Sequence, residues 1–195
     1  MTRPVAVAIT GGIGAGKSEA LRAFARNGAA TVSSDEIVHH LLRQPEVKRA
    51  IVARMGNGVV APGGEIDRGA LGTVVFNDRE ALDWLEELLH PLVAAEYLQW
   101  REQLAGLDDA PGVCVTEVPL LYETGGDARF DKVVVITAPS KLRRARSEVA
   151  TEGRESRLIP DAEKVKRADF SYKNTGSLEE LDAFVKSVMA ELSSS

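Results

Sequence analysis

A glycine-rich segment near the N-terminus constrains the fold of this chain more than any other feature. Residues 11–18 read GGIGAGKS and match the phosphate-binding pattern G-x-x-x-x-G-K-[ST]. Glycine reaches the backbone conformations that turn successive N–H groups toward phosphate oxygens. Lys17 would then supply a positive charge to the β- and γ-phosphates, and Ser18 a hydroxyl for Mg²⁺. The pattern predicts a nucleoside triphosphate site; the alternative is a glycine-rich turn that merely joins a strand to a helix.

The segments around the loop supply the context that this pattern requires. Residues 5–9 alternate as in a buried strand, and residues 17–27 show helical apolar spacing that Gly28 closes. Further strands are predicted at 29–32, 112–118, 131–137 and 169–172, followed by a terminal helix that Ser177 caps. Alternating strands and helices predict an open α/β sheet, in which ligands bind beyond the carboxyl ends of the strands.

A long segment between the second and third strands contains no clear strand pattern. Helical apolar spacing appears there at 46–55, 68–76, 78–90 and 91–105, and Pro91 is predicted to begin the last of these helices. We therefore expect a nucleotide-binding core at 1–35 and 107–195, and a largely helical insertion at 36–106. In a phosphoryl-transfer enzyme such an insertion would hold the second substrate, although by itself it is only a helical subdomain.

Composition excludes several classes of protein. The formal net charge of −5 argues against a nucleic-acid partner, because such proteins need a basic face. Cys114 is the only cysteine, so an internal disulfide and a cysteine-based metal site are excluded, and we expect it to be buried in the third strand. The sequence contains no apolar run of about 18 residues and no signal-peptide core. We therefore expect a cytoplasmic protein with small-molecule substrates and no membrane partner. The oligomeric state stays open, and a monomer is compatible with the sequence.

Two acidic residues lie at or just after the ends of predicted strands, at the edge where such sheets place their chemistry. Asp35 comes after the second strand, where a carboxylate could accept the proton of an attacking hydroxyl. It could equally serve as the N-cap of a helix over 36–42, and the sequence favours neither role. Glu117 ends the third strand and could hold a Mg²⁺-bound water or merely face the crevice.

The densest positive stretch of the chain follows the fourth strand. Its cations are Lys141, Arg143, Arg144, Arg146, Arg154 and Arg157. Planar guanidinium groups suit bidentate phosphate contacts, which predicts a lid within about 141–160 that closes over transferring phosphates. The alternative is a solvated helix face with glutamate partners at i,i+4 spacing. Beside a phosphate loop, the lid is favoured.

Five motifs in a fixed order connect this chain to a known family. They are ITGGIGAGKS at 9–18, DRGAL at 67–71 followed by VF at 75–76, LHPLV at 89–93, VPLLYE at 118–123, and AD at 168–169 followed by N-x-G-S-L at 174–178. Together they resemble the dephospho-coenzyme A kinase family. The phosphate loop is shared by many NTPases, whereas the H-P and P-L-L-x-E segments in this order are specific.

The resemblance implies a fold, a reaction and a set of site residues. The fold would be a P-loop kinase-type sheet of five parallel strands, with a helical substrate-binding insertion and a lid. The reaction would move the γ-phosphoryl group of ATP, with Mg²⁺, to the ribose 3′-hydroxyl of dephospho-coenzyme A. The predicted catalytic residues are Asp35, Lys17 and Arg144. The predicted nucleotide contacts are Gly11, Gly12, Ile13, Gly14, Ala15, Gly16, Lys17, Ser18, Glu19 and Asn174, with Ser18 as metal ligand. The predicted substrate contacts are Asp35, Arg68, His90 and Glu123.

Several of these positions carry a second interpretation or depart from the family pattern. Arg68 could instead form a salt bridge at a helix start, and His90 could be a buried histidine in a turn before Pro91. Where the family has aspartate, threonine and glutamine, this chain has Ser33, Glu19 and the Arg-Leu pair at 157–158. A first-turn glutamate at position 19 suits the helix dipole but would repel a nearby phosphate. Which lid arginine takes the family's role is also open.

Two other functions remain compatible with the sequence. A nucleoside or deoxynucleoside monophosphate kinase would share the loop, the insertion and the lid. A non-catalytic P-loop protein would bind nucleotide to recruit a partner, or would be a kinase that has lost its activity. GTP switches read the base with N-K-x-D, which is absent here.

Overall fold

The computed structural model describes residues 3–146 and 158–194. The chain divides into two compact units, Met1–Ser33 with Arg101–Ser195, and Ser34–Trp100. Among the described residues, eight α-helices are present: α1 Lys17–Arg26, α2 Ser34–Leu41, α3 Pro45–Met55, α4 Arg68–Asn77, α5 Arg79–Ala105, α6 Ser140–Arg146, α7 Asp161–Arg167 and α8 Leu178–Ser193.

A five-stranded parallel sheet forms the centre of the first unit. Its strands are β1 Val5–Thr10, β2 Ala30–Ser33, β3 Val113–Glu117, β4 Lys132–Thr137 and β5 Phe170–Lys173. They lie in the order β2-β3-β1-β4-β5, and every pair is parallel. Glu117 is in register with Ile9 of β1 and with Ser33 of β2, so these three strands end at one edge. The predicted α/β fold with five parallel strands is confirmed.

Apolar side chains cover both faces of the sheet. Alternate residues of a strand point to opposite faces, and β1 contributes Val7 and Ala8 to two separate clusters, both fully buried. Phe24 of α1 and Val185 of α8 pack in the cluster with Val7. Leu121, which follows β3, packs in the cluster with Ala8. Burial on both faces explains why β1 and β4 read as nearly continuous apolar runs.

The ends of the helices in this unit follow local sequence signals. Gly28 has φ +90° just after α1, the left-handed conformation expected of a closing glycine. The Ser177 side chain accepts a hydrogen bond from Glu180 N at 3.2 Å, which confirms the predicted cap of α8.

One predicted helix boundary is wrong. The sequence predicted a helix that begins at Pro91, but α5 runs without interruption from Arg79 to Ala105 with Pro91 inside it. An interior proline removes one backbone hydrogen bond and clashes with the preceding turn, at a cost of about 3 kcal/mol. The helix is stabilised on both sides of the proline by buried side chains, including Leu89 before it and Tyr97 after it. Tertiary packing therefore outweighs the local preference of proline for a first turn.

The predicted burial of Cys114 in the third strand is confirmed. Cys114 is buried in β3, and burial raises the pKa of its thiol. Among the described residues, no helix is long and apolar enough to cross a membrane.

Candidate active site

The glycine-rich loop leaves the end of β1 and enters α1 directly. Gly11 has φ +142°, and a Cβ added there would overlap the carbonyl oxygen of Ile136 in β4, so no other residue fits without a shift. Gly16 occupies the N-cap of α1 with φ +97°. The loop therefore presents its backbone at a helix N-terminus, where unpaired N–H groups and the helix dipole favour an anion.

Lys17 and Ser18, the two polar side chains of the loop motif, have defined partners. Lys17 Nζ donates a hydrogen bond to the Gly12 carbonyl oxygen at 3.1 Å, so the ammonium group lies over the loop. Ser18 donates its hydroxyl to Glu117 Oε1 at 3.4 Å, and Glu117 is 5% exposed at the end of β3. A hydroxyl beside a carboxylate is an oxygen donor set that suits Mg²⁺, which takes few protein ligands and completes its shell with water and phosphate. These residues fit the predicted metal.

Asn174 supports the loop from the end of β5. Its Nδ2 donates to the Ala15 carbonyl oxygen at 2.9 Å, and its Oδ1 accepts from Gly176 N at 3.0 Å. Its backbone N donates to Thr137 O at 2.7 Å, and the residue is 5% exposed. The amide nitrogen thus bonds to the backbone of the phosphate loop, and the amide oxygen bonds to the backbone of Gly176. Its direct contact with nucleotide stays a prediction.

Glu19 bonds to arginines of its own helix. Its carboxylate lies 2.7 Å from Arg22 Nη2 and 3.2 Å from Arg26 Nη1, and Arg26 also pairs with Asp182 of α8 at 3.4 Å. Burial alone would raise the pKa of Glu19, but the hydrogen bonds and charges of the two arginines outweigh it and hold the pKa below its ordinary value. The Glu19 carboxylate is therefore paired with two cations of its own helix, one of which also pairs with α8.

Two arginines of the predicted lid approach the loop. A Cβ added to Gly12 would lie 2.5 Å from Arg143 Nη1, and one added to Gly16 would lie 3.7 Å from Arg146 Nη1. Arg144, the arginine that we predicted to be catalytic, is exposed on α6. Arg154 and Arg157 lie outside the described residues, as does most of the predicted lid.

Glu123, a predicted substrate contact, lies in a buried ion pair. Its Oε1 is 2.7 Å from Nζ of Lys164, a residue of α7 whose side chain is fully buried, and the same oxygen accepts from Ile159 N at 3.0 Å. These contacts give Glu123 a structural role that its sequence motif does not indicate. The pair escaped prediction because α7 carries no strong apolar pattern and Lys164 looks like a surface residue. A contact between Glu123 and substrate stays a prediction.

The remaining predicted site residues, Asp35, Arg68 and His90, belong to the second unit, Ser34–Trp100. Asp35 is exposed in the first turn of α2. Because α2 begins at Ser34, Asp35 is not the N-cap that the alternative interpretation required. Arg68 is the first residue of α4 and is exposed; Asp67 caps that helix through hydrogen bonds from Gly69 N and Ala70 N.

The second interpretation of His90, a buried histidine in a turn, is wrong. It is exposed on α5 rather than buried in a turn, since the helix continues through Pro91. Among the described residues, no ion pair to Arg68 is present either, so the helix-start salt bridge is not observed.

A parallel sheet of this strand order, with a phosphate loop between its first strand and first helix, is an α/β fold of the P-loop class. The crystal structure of shikimate kinase from Aquifex aeolicus shares this fold, with a TM-score of 0.52 and 14% identity over 97% of both chains. At that identity the similarity concerns the fold alone.

Comparison with known proteins defines the family. The family model described as dephospho-CoA kinase matches residues 5–180, and the chain belongs to this family of kinases. The dephospho-CoA kinase of Rhodopseudomonas palustris strain BisB18 is 36% identical over 189 residues, which cover 93% of this chain and 92% of the relative. That of Aquifex aeolicus is 34% identical over 193 residues, covering 95% and 96%.

Two solved structures agree with the family. TT1252 from Thermus thermophilus has a TM-score of 0.77 and 34% identity, over 98% of this chain and 99% of that one. Dephospho-CoA kinase from Campylobacter jejuni has a TM-score of 0.71 and 30% identity, over 97% of both chains. The motifs in the sequence thus identified the family correctly, and the chain is an enzyme of the kinase class.

Proposed function

We propose that this kinase binds ATP on the loop at 11–18 and uses Asp35 to receive the proton of the ribose 3′-hydroxyl of dephospho-CoA. The observation that carries the proposal is the position of Lys17 and Ser18 at the N-terminus of α1, with Lys17 bonded to the Gly12 carbonyl and Ser18 to Glu117. Phosphoryl transfer depends mainly on positioning and on stabilising charge. A helix N-terminus, an ammonium group and an oxygen pair for Mg²⁺ supply what that chemistry needs.

The loop would bind the triphosphate through its backbone. N–H groups at the start of α1 would donate to phosphate oxygens, and Lys17 Nζ would exchange the Gly12 carbonyl for an oxygen of the β- or γ-phosphate. Ser18, with Glu117 beside it, would hold Mg²⁺, which neutralises charge on the β- and γ-phosphates when bound. Asn174 would keep the loop open to phosphate by holding the Ala15 carbonyl away from the centre.

The acceptor hydroxyl would be activated by Asp35. An exposed carboxylate in the first turn of α2 is accessible to a substrate hydroxyl, and only Ser34 separates Asp35 from the end of β2. The insertion at 36–106 would bind dephospho-CoA, where exposed Arg68 and His90 could contact the anionic groups of the substrate. Arg144, exposed on α6, would stabilise the charge that develops on the moving phosphoryl group.

The test is an assay of coupled ADP release with Mg²⁺-ATP, with dephospho-CoA compared against AMP, CMP and dTMP. We expect turnover with dephospho-CoA, and a product whose mass is that of coenzyme A. Lys17→Ala should reduce kcat/KM by about 10³-fold, because charge stabilisation at the transferring phosphate is lost. Transfer to a nucleoside monophosphate but not to dephospho-CoA would overturn the proposal.

Asp35 has a matched control on its own helix. Asp35→Asn should reduce kcat by about 10²–10⁴-fold with little change in ATP affinity, since a base acts on the acceptor and not on the nucleotide. Glu36→Gln removes the same charge from the next residue of the same first turn and should leave kcat within about twofold of wild type. If Asp35→Asn kept kcat within about threefold of the Glu36 control, Asp35 would not be the base.

A further inference from the structure

Two oppositely charged side chains, Arg143 and Asp161, lie together against the phosphate loop. A Cβ added to Gly12 would lie 2.5 Å from Arg143 Nη1 and 3.2 Å from Asp161 Oδ1. The same Nη1 is 3.9 Å from Asp161 Oδ2, and the two side chains are only 21% and 28% exposed. A guanidinium group and a carboxylate therefore share the space beside the second residue of the loop.

The backbone of Arg143 is held at the loop as well. A Cβ added to Gly14 would lie 2.7 Å from the Arg143 carbonyl oxygen. Leu142 N and Arg143 N both donate to Pro139 O, at 2.9 and 3.0 Å, which fixes the first turn of α6 just after β4. The freedom that remains at this position lies in the arginine side chain, which is long and has a large rotamer entropy.

Asp161 is held in place by an anchor on either side of it. Before it, Ile159 N donates to Glu123 Oε1 at 3.0 Å. After it, the buried Lys164 pairs with the same oxygen at 2.7 Å. Glu163 N and Lys164 N donate to Pro160 O, at 2.9 and 3.1 Å, and complete the first turn of α7. A carboxylate on so rigid a support can orient a flexible partner.

We propose that Asp161 is a positioning residue that holds the Arg143 guanidinium group beside Gly12, where Arg143 contacts the phosphates of bound nucleotide. The proposal rests on the proposed function in one respect, the assignment of ATP to the loop. The guanidinium group has five N–H donors in a fixed plane, so a carboxylate at one edge leaves the others directed elsewhere. Because the arginine is ordered before nucleotide binds, less affinity is lost to ordering it on binding.

Asp161 could instead stabilise its own helix or repel the nucleotide, and each of these roles predicts a different result. An acidic residue in the first turn of a helix interacts favourably with the helix dipole. Asp161 and Glu163 are both acidic residues of the first turn of α7. In that case Asp161 would affect the stability of the helix and not the affinity for ATP. A carboxylate near the loop could also act only by repelling phosphate, and its removal would then strengthen ATP binding.

The experiment measures kcat and KM for ATP by ADP release at saturating dephospho-CoA. Asp161→Asn should raise KM for ATP about tenfold with kcat within about twofold, the pattern of an interaction made equally in the ground state and the transition state. Glu163→Gln, which removes the same charge from an exposed position of α7, should leave both constants unchanged. Asp161→Glu should recover part of the affinity, because a carboxylate is restored.

A double-mutant cycle tests whether Asp161 acts through Arg143. Arg143→Ala should raise KM for ATP, and adding Asp161→Asn to it should cause no further rise. Additive effects, a lower KM in Asp161→Asn, or an equal effect of Glu163→Gln would each overturn the proposal. Failure of the proposed function would look different: the wild-type chain would not turn over dephospho-CoA, or Lys17→Ala would keep its full activity.

Discussion

Replacing Lys164 by methionine should lower the free energy of unfolding by about 3–5 kcal/mol, the cost of leaving one charge of a buried pair without its partner. Lys164 is fully buried, its Nζ is 2.7 Å from Glu123 Oε1, and Glu123 is only 11% exposed. Without the ammonium group, that carboxylate keeps the hydrogen bond from Ile159 N but loses the charged partner of its ion pair. For a chain of this length the loss corresponds to a fall in Tm of roughly 6–20 °C.

A second substitution should reverse most of this loss. Glu123→Gln in the Lys164→Met background removes the remaining charge and keeps an amide oxygen that accepts from Ile159 N. Neutral replacements of buried ion pairs are often tolerated, so we expect the double variant within about 1 kcal/mol of wild type. The matched control is Lys186→Met, which breaks a 3.1 Å pair with Asp182 on α8 where Lys186 is 66% exposed. Exposed pairs contribute little, so its cost should stay below about 1 kcal/mol.

Far-UV circular dichroism during urea unfolding, together with calorimetry, would measure these differences. Tryptophan fluorescence is less suitable, because Trp84 and Trp100 both belong to the unit Ser34–Trp100 and would report on that unit. A cost of Lys164→Met no larger than that of Lys186→Met would refute the role of the buried ion pair. A double variant no more stable than Lys164→Met alone would refute it as well.

Three further results are expected. Gly11→Ala should lower the free energy of unfolding by about 1–3 kcal/mol or more, because the φ of +142° at Gly11 and the overlap with the Ile136 carbonyl exclude a Cβ. An unchanged Tm would contradict this. Pro91→Ala should stabilise α5 by up to about 3 kcal/mol, seen as a higher urea midpoint of tryptophan fluorescence, and a lower midpoint would contradict this. The Arg3 side-chain hydrogen bond holds the pKa of Asp131 below its ordinary value, although burial opposes it. This contribution to stability is present above about pH 4 and is lost as the pH falls through the folded-state pKa, so Asp131→Asn should flatten the acid limb of a Tm-versus-pH curve.

Much of the fold could be predicted because its signals are local. β1 and β4 read as buried apolar runs, and Gly28 marks the end of α1 through its own backbone conformation. The helix start predicted at Pro91 is wrong because the first-turn preference of proline is local, whereas the packing of Leu89 and Tyr97 that stabilises α5 on both sides of it is not. Asp35 was open as an N-cap for a similar reason, since one residue more or less at a helix start lies beyond what sequence pattern can define.

The features of the site also fall into two groups, those that local sequence defines and those that only the folded chain brings together. By itself, the sequence determined the phosphate loop, the identity of Lys17 and Ser18 within it, and the family. The glycines that a phosphate loop requires are consecutive or nearly so, and the order of the family motifs is a property of the sequence alone.

Only the tertiary structure decided which partner each charged side chain has. It joins Glu123 to Lys164 and sets Asp161 beside Arg143. The sequence showed these residues as an unordered set of charges, any of which could pair with many others. The physical reason is that an ion pair depends on distance and burial in space, and those quantities exist only once the sheet has brought distant segments of the chain to one edge.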